Sequence, residues 1–277
     1  MKRRDFLKAV GIAGAAITAN SVLNCAKSGK KPNIIFILAD DLGYAELGCY
    51  GQQKIETPNI DALANGGLRF TDYHTGGAMC SPTRASILTG RYPQRFGRMF
   101  DGALSGTTQR ELGLPLEATT IAEVLKENGY ATGCFGKWHL GYQAPLLPTR
   151  QGFDVFRGLV SGDGDFHTHI DRSGNPDWWH NEELVNEKGY TTDLLTRYSV
   201  DFIEAQRERP FFLYMPHTMP HVPLFVSDER YNPDPQRAYQ LTIEHIDWSV
   251  GQILKTLDEL RLVDETIIIY SSDNGPW

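Results

Sequence analysis

Asn33-Ile34-Ile35-Phe36-Ile37-Leu38-Ala39, closed by Asp40-Asp41, is a near-continuous apolar run that ends on two carboxylates. A strand wetted on one face alternates apolar and polar residues. A run that does not alternate reads as a strand buried on both faces, hence a central strand of a mostly parallel sheet covered by helices on both faces. Working outward, a helix begins at 57–64 behind Pro58 and stops at Gly66-Gly67, and 67–74 reads as a second strand. Pro82 opens a helix over 82–88, another spans 120–128 up to Gly129, and 130–135 returns as a strand. An amphipathic helix follows over 192–207, then a buried strand over 210–215. Ile243, Ile246, Val250, Ile253, Leu254 and Leu257 recur at helical spacing within 236–262, and 266–271 is the last strand. Strands alternating with helices, without internal repeats, give the α/β class.

The 277 residues suffice for a sizeable core, and 41% hydrophobic with 22% charged residues is ordinary for a soluble globular chain. A net charge of -7 argues against nucleic acid as a partner. It does not exclude an anionic small substrate, since local cations can outweigh the global balance. Residues 1–30 are of another kind. Arg3-Arg4-Asp5-Phe6-Leu7-Lys8 precedes a mild apolar run from 9 to 19, too short for a permanent membrane span but matching an export signal of the twin-arginine type. The export machinery is then a partner, and the mature protein is periplasmic or on the cell surface. Cys25 stands where a lipoprotein signal places its lipidated cysteine, although Asn24 replaces the usual small residue; a membrane anchor follows only if Cys25 is lipidated. Cys49, Cys80 and Cys134 remain, an odd number without metal spacing, so a disulfide scaffold is not expected.

The polar residues of chemical interest follow the strands. Asp40-Asp41 come after the first, Lys137 and His139 after the strand at 130–135, His217 after 210–215, and Asp273-Asn274 after the last. In open α/β sheets the ligand crevice lies outside the carboxyl ends of the strands, so these residues are expected to converge. Asp40, Asp41, Asp273 and Asn274 are hard oxygen ligands suited to Ca²⁺, less to Mg²⁺, and not to zinc. Each Asp alone reads equally as a turn or helix cap. Cys80-Ser81-Pro82-Thr83-Arg84 puts a cysteine at a helix start, where backbone N–H groups favour negative charge, with Arg84 one turn on.

From Cys80 to Arg91, CSPTRASILTGR, the chain resembles the first signature of the sulfatase family within the alkaline phosphatase superfamily, and Gly136-Lys137-Trp138-His139-Leu140-Gly141 resembles its second. Pro32-Asn33-Ile34 up to Asp41, Pro216-His217, and Ser272-Asp273-Asn274-Gly275 fall in the same order as in the family. The resemblance covers 31–277 and implies an alkaline phosphatase-like catalytic domain that hydrolyses sulfate esters of sulfated carbohydrate or aryl alcohols. It implies that a formylglycine-generating enzyme converts Cys80 to formylglycine, which attacks sulfur as a hydrated aldehyde. It implies Ca²⁺ on Asp40, Asp41, residue 80, Asp273 and Asn274, Arg84 and Lys137 as charge stabilisers, His139 as base for the second hydroxyl, and His217 at the leaving oxygen.

The family pattern continues with a second active-site lysine and a smaller C-terminal subdomain, neither of which is found before Trp277, so the chain reads as truncated and as inactive by itself. The alternatives are a formylglycine-dependent phosphonate or phosphodiester hydrolase and a non-catalytic carbohydrate-binding relative. Asp163, Asp165, His167, His169, Asp171, Trp178, Trp179 and His180 read either as a sugar-reading loop or as a solvated one. His74, His221 and His245 read as structural histidines.

Overall fold

The structure, a computed structural model, describes residues 29–276, so the leader reading and Cys25 fall outside the described residues. From Asn33 onward the strands are β1 (Asn33–Ala39), β2 (Ala131–Lys137), β3 (Val155–Leu159), β4 (Trp179–His180), β5 (Glu183–Leu184), β6 (Phe211–Pro216) and β7 (Thr266–Ser272). They form one sheet in the order β5-β4-β3-β2-β6-β1-β7. The pairs β1–β6, β1–β7, β2–β3 and β2–β6 are parallel, and the pairs β3–β4 and β4–β5 are antiparallel, so the two-residue strand β4 alone runs against the others. The expected α/β, mostly parallel architecture is therefore present. Strands β3 to β5 were not anticipated, because they are short and only β3 is largely buried.

The helices are α1 (Pro58–Gly66), α2 (Cys80–Thr89), α3 (Ile121–Glu127), α4 (Thr191–Gln206) and α5 (Pro235–Glu259). Alternate strand residues serve opposite faces. Ile35, Ile37, Phe211, Leu213 and Met215 pack with Leu195 and Ile203 of α4 and Ile246 and Ile253 of α5. Leu38, Phe212 and Tyr214 pack with Leu88 of α2 and Ala122 of α3. That two-sided burial is why β1 is apolar throughout. Helix starts follow local chemistry: Thr120 and Glu123 form a reciprocal capping box, and the Asp234 carboxylate accepts from Gln236 N–H ahead of α5. The start of α1 is instead capped across the fold, where the Asp247 carboxylate of α5 accepts from the N–H groups of Asn59 and Ile60.

Residues 67–74 are not a strand. Leu68, Phe70 and Tyr73 are exposed, and the sheet edges are β5 and β7. Period-two alternation supplies a strand's side-chain pattern but not the neighbouring ladder that satisfies its backbone.

Two glycines let the middle of the sheet close. At Gly136 (φ 139°) a Cβ would lie 1.8 Å from the Pro216 carbonyl oxygen of β6, and at Gly158 (φ 144°) 2.1 Å from the Gly136 oxygen. Gly136→Ala is therefore expected to destabilise the fold by about 2–4 kcal/mol, through backbone strain that no side-chain shift relieves. Urea unfolding checks this; an unchanged midpoint would contradict it.

Candidate active site

Three strand ends and one helix start build the site. Asp40 and Asp41 follow β1, with Asp41 in the left-handed region at φ 64°. Asp273 follows the adjacent β7, its N–H on the Ala39 oxygen (3.1 Å) while its Oδ1 accepts from Asp41 N–H (3.1 Å). Lys137 ends β2, and Cys80 is the first residue of α2. Cys80 Sγ lies 3.4 Å from Asp40 Oδ1, 3.8 Å from Asp41 Oδ1 and 3.4 Å from Lys137 Nζ.

Arg84 is wholly buried one helical turn after Cys80. Its Nε and Nη2 donate to Asp273 Oδ2 (3.0 and 2.9 Å), Nη2 also to Asp40 Oδ1 (3.2 Å), and Nη1 to the Lys137 carbonyl (2.6 Å). Lys137 Nζ donates to both oxygens of Asp40 at 2.9 and 2.6 Å. Burial pushes the Asp40 carboxyl up, but Lys137 and then Arg84 outweigh it and hold Asp40 below the ordinary range. Asp273 goes the other way, to about 6, through burial and the repulsion of Asp40. Burial raises the Cys80 thiol far above its ordinary value, despite the opposing field of Lys137. An unmodified thiol here is protonated and a poor nucleophile.

Asn274 Nδ2 donates to Asp41 Oδ1 (2.6 Å), leaving Asn274 Oδ1 and Asp41 Oδ2 buried without hydrogen-bond partners. Ligand atoms of Asp40, Asp41, Cys80 and Asp273 lie within 4.8 Å of one another. Three carboxylates against two cations, with two orphaned oxygens, is an arrangement a hard divalent cation would complete. Asp40, Asp41, Asp273 and Asn274 supply only oxygen, which fits the donor set expected from the sequence.

His139, in the left-handed region at φ 55°, points Nε2 at the Leu104 carbonyl (2.8 Å) and leaves Nδ1 without a partner. The bond requires the proton on Nε2, so Nδ1 is the free base. Burial, then the charge of Lys137, holds its basicity well below the ordinary range. His217 is not at the site's opening. It is fully buried with both ring nitrogens unpartnered, and burial, then His245, drives it down to about 3. The histidine that faces the acids is His221, read from sequence as structural: its Nε2 is 3.6 Å from Asp41 Oδ2 and its Nδ1 donates to the Val222 carbonyl at 2.6 Å. Both histidines lie on the segment leaving β6, and only packing distinguishes them. Of the other two, His245 is structural, on Asp193 (2.7 Å), and His74 is exposed beside Asp72.

A cavity of about 540 Å³ opens over Cys80, and His139, His221, Asp163 and Arg172 are among the residues that line it. The 163–180 loop is only partly solvated: His169 stacks on buried Trp178 with centroids 4.1 Å apart.

A family model described as Sulfatase matches residues 32–277. The chain belongs to the sulfatase family. It is 36% identical over 277 residues to human arylsulfatase A, covering 89% of this chain and 52% of that protein. It is 34% identical to N-acetylgalactosamine-6-sulfatase of Canis lupus familiaris, covering 91% of this chain and 52% of the relative. The chain thus spans about half the length of these curated relatives. The crystal structure of Ps i-CgsB in complex with k-i-k-neocarrahexaose superposes with a TM-score of 0.82 at 35% identity, covering 89% of this chain and 59% of that one. These neighbours share the alkaline phosphatase-like sulfatase fold.

The crowded acids predict how a cation acts on stability. A folded-state Asp273 value of about 6, above the unfolded 3.8, means stability is lost as pH rises through 6 in cation-free protein. Asp40, with a lowered value, contributes stability lost only as pH falls below 3.8. A bound cation favours the ionised acids, so a hard divalent cation is expected to raise Tm more at about pH 7.5 than at about pH 5. Calorimetry on stripped and reloaded protein reads this, and equal gains at both pH values would contradict the cluster's role.

Proposed function

We propose that the protein is an exported sulfatase that hydrolyses sulfate esters of sugars or aryl alcohols. The observation that carries this reading is Cys80 at the first turn of α2, its Sγ between Asp40 and Lys137 at the floor of a cavity walled by two histidines. Cys80 Sγ stands in for the oxygen of a formylglycine at this position. Formylglycine at position 80 would supply a hydrated aldehyde, with one hydroxyl as nucleophile toward sulfur and a second hydroxyl beside it. Asp40, Asp41, Asp273 and Asn274 would hold calcium, which would supply Lewis acidity toward the sulfate oxygens and lower the pKa of a hydroxyl at residue 80.

The chain's own residues fill the remaining roles. Lys137, 3.4 Å from Sγ, neutralises charge on the sulfate and on residue 80. Arg84 acts mostly through its field, because its bonds are taken by Asp40, Asp273 and the Lys137 carbonyl. His139, neutral with Nδ1 free, is suited to take a proton from the second hydroxyl. His221, on the cavity lining with Nδ1–H bonded to Val222 and Nε2 near Asp41, suits the leaving oxygen better than the buried His217. The names of the relatives, an arylsulfatase and an N-acetylgalactosamine-6-sulfatase, support a sulfated sugar or aryl sulfate as the substrate class. The paired arginines Arg3-Arg4 support delivery to the periplasm or cell surface.

Active protein is expected to carry a peptide around residue 80 about 18 Da lighter than the cysteine form, because H₂S is lost and oxygen gained. Mass spectrometry reads this directly; full activity with an intact Cys80 thiol would overturn the mechanism. Cys80→Ala should abolish aryl sulfate turnover while leaving the melting transition close to wild type.

His221→Ala is expected to lower kcat on an alkyl sulfate by about 10²–10⁴. The loss should be smaller on an aryl sulfate, whose better leaving group needs less proton assistance. His217→Gln should show no such dependence on the leaving group. A leaving-group dependence at 217 and none at 221 would reverse the assignment.

A further inference from the structure

The lining of the cavity over Cys80 includes Arg172, a cation that the bond-breaking chemistry does not use. Arg84 and Lys137 lie buried behind Cys80, and Arg172 is the only lysine or arginine on the cavity lining among the described residues. Its side chain is 69% exposed, and its Nη2 is paired with Asp163, whose side chain is only 18% exposed. The other guanidinium nitrogens have no partner among the described residues. An ion pair this exposed contributes little to stability, so folding alone gives small reason for it.

The segment that carries Arg172 is braced. The preceding carboxylate, Asp171, accepts from Ser173 N–H (2.9 Å) and Asn175 N–H (2.8 Å) and pairs with Arg110 (3.6 Å). The base is tied by buried Asp177, which accepts from the N–H groups of Val160 and Ser161 at 3.1 and 2.9 Å and from Trp179 Nε1 at 2.7 Å. Ser161 also lines the cavity, so the segment is anchored to the same wall that borders the reacting centre. Ordering a ligand against Arg172 therefore costs the entropy of one side chain rather than that of a loop. A guanidinium with unspent planar donors matches a carboxylate or sulfate, which it can bind through two parallel hydrogen bonds. A volume of about 540 Å³ lies within the usual range of small-molecule sites, so the cavity holds more than one sulfate group.

We propose that Arg172 is a specificity-determining residue that takes a second anionic substituent of the saccharide, a carboxylate or a further sulfate, so that the preferred substrate is polyanionic. This rests on the sulfatase reading above, and binding is measured separately from turnover so that the two can fail separately. The full chain carrying Cys80→Ala is titrated calorimetrically with three probes. These are N-acetylgalactosamine 6-sulfate, with one anion; N-acetylgalactosamine 4,6-disulfate, with a second sulfate; and a chondroitin 6-sulfate disaccharide, with a carboxylate. At least one two-anion probe is expected to bind about tenfold tighter than the single-anion probe, and which one identifies the second anion. Adding Arg172→Ala should erase that difference while leaving the single-anion probe unchanged, and Arg172→Lys should restore only part of it. Equal weakening of all probes by Arg172→Ala, no discrimination before the substitution, or no binding at all overturns the inference. Charge-selective binding that depends on Arg172, together with no ester hydrolysis by formylglycine-bearing protein extended to the relatives' full length, would sink the sulfatase reading and leave this one standing.

Discussion

The site depends on one buried guanidinium. Arg84 sits where no water reaches it and bonds to Asp40 after β1, Asp273 after β7 and the carbonyl of Lys137 at the end of β2. In the sheet these strands run β2-β6-β1-β7, so one side chain gathers the carboxyl ends across four neighbouring strands. A buried ion is tolerable only when its hydrogen bonds are satisfied, and removing one partner of such a group typically costs about 3–5 kcal/mol. Because Cys80 lies four residues earlier on the same face of α2, fixing Arg84 also fixes residue 80 beside Asp40 and Lys137.

A division of labour follows from this arrangement. The back of the site is charged, dry and cross-bonded, and it sets the protonation of everything around it: Lys137 keeps Asp40 ionised against burial and helps keep His139 neutral. The front is open and less cross-bonded, with His221 on the Val222 carbonyl and near Asp41, and Arg172 on Asp163. A preorganised rear wall suits charge stabilisation, since fixed groups need no reorganisation as charge develops. A less committed front suits recognition of a substrate that must enter and leave.

The sequence was informative where local chemistry and global fold agree. The apolar β1 run, Pro82 in the first turn of α2 and the spacing of Ile243, Ile246, Val250 and Ile253 each name an element that the structure contains. Asp40, Asp41, Lys137, Asp273 and Asn274 are legible as site candidates because strand ends of a parallel sheet converge at one edge, and Cys80 and Arg84 because Pro82 marks a helix start. Legibility failed where a pattern needs a partner to mean anything. Residues 67–74 read as a strand but have no ladder beside them, and the two-residue strands β4 and β5 are too short for periodicity to register.

The sequence by itself determined the fold class, the strand ends that carry the acids and the helix start that carries Cys80, because these follow from periodicity, helix-start chemistry and the polarity of parallel sheets. Tertiary structure alone decided which histidine meets the cavity. His217 and His221 are four residues apart on one connecting segment, and no local rule separates them. Packing seals His217 in the interior, out of reach of hydrogen-bond partners, and turns His221 toward Asp41. The same holds for Arg172, an unremarkable charge in sequence. Its place on the cavity comes from a loop braced by Asp171 and Asp177, since burial and proximity are set by contacts between residues distant in the chain.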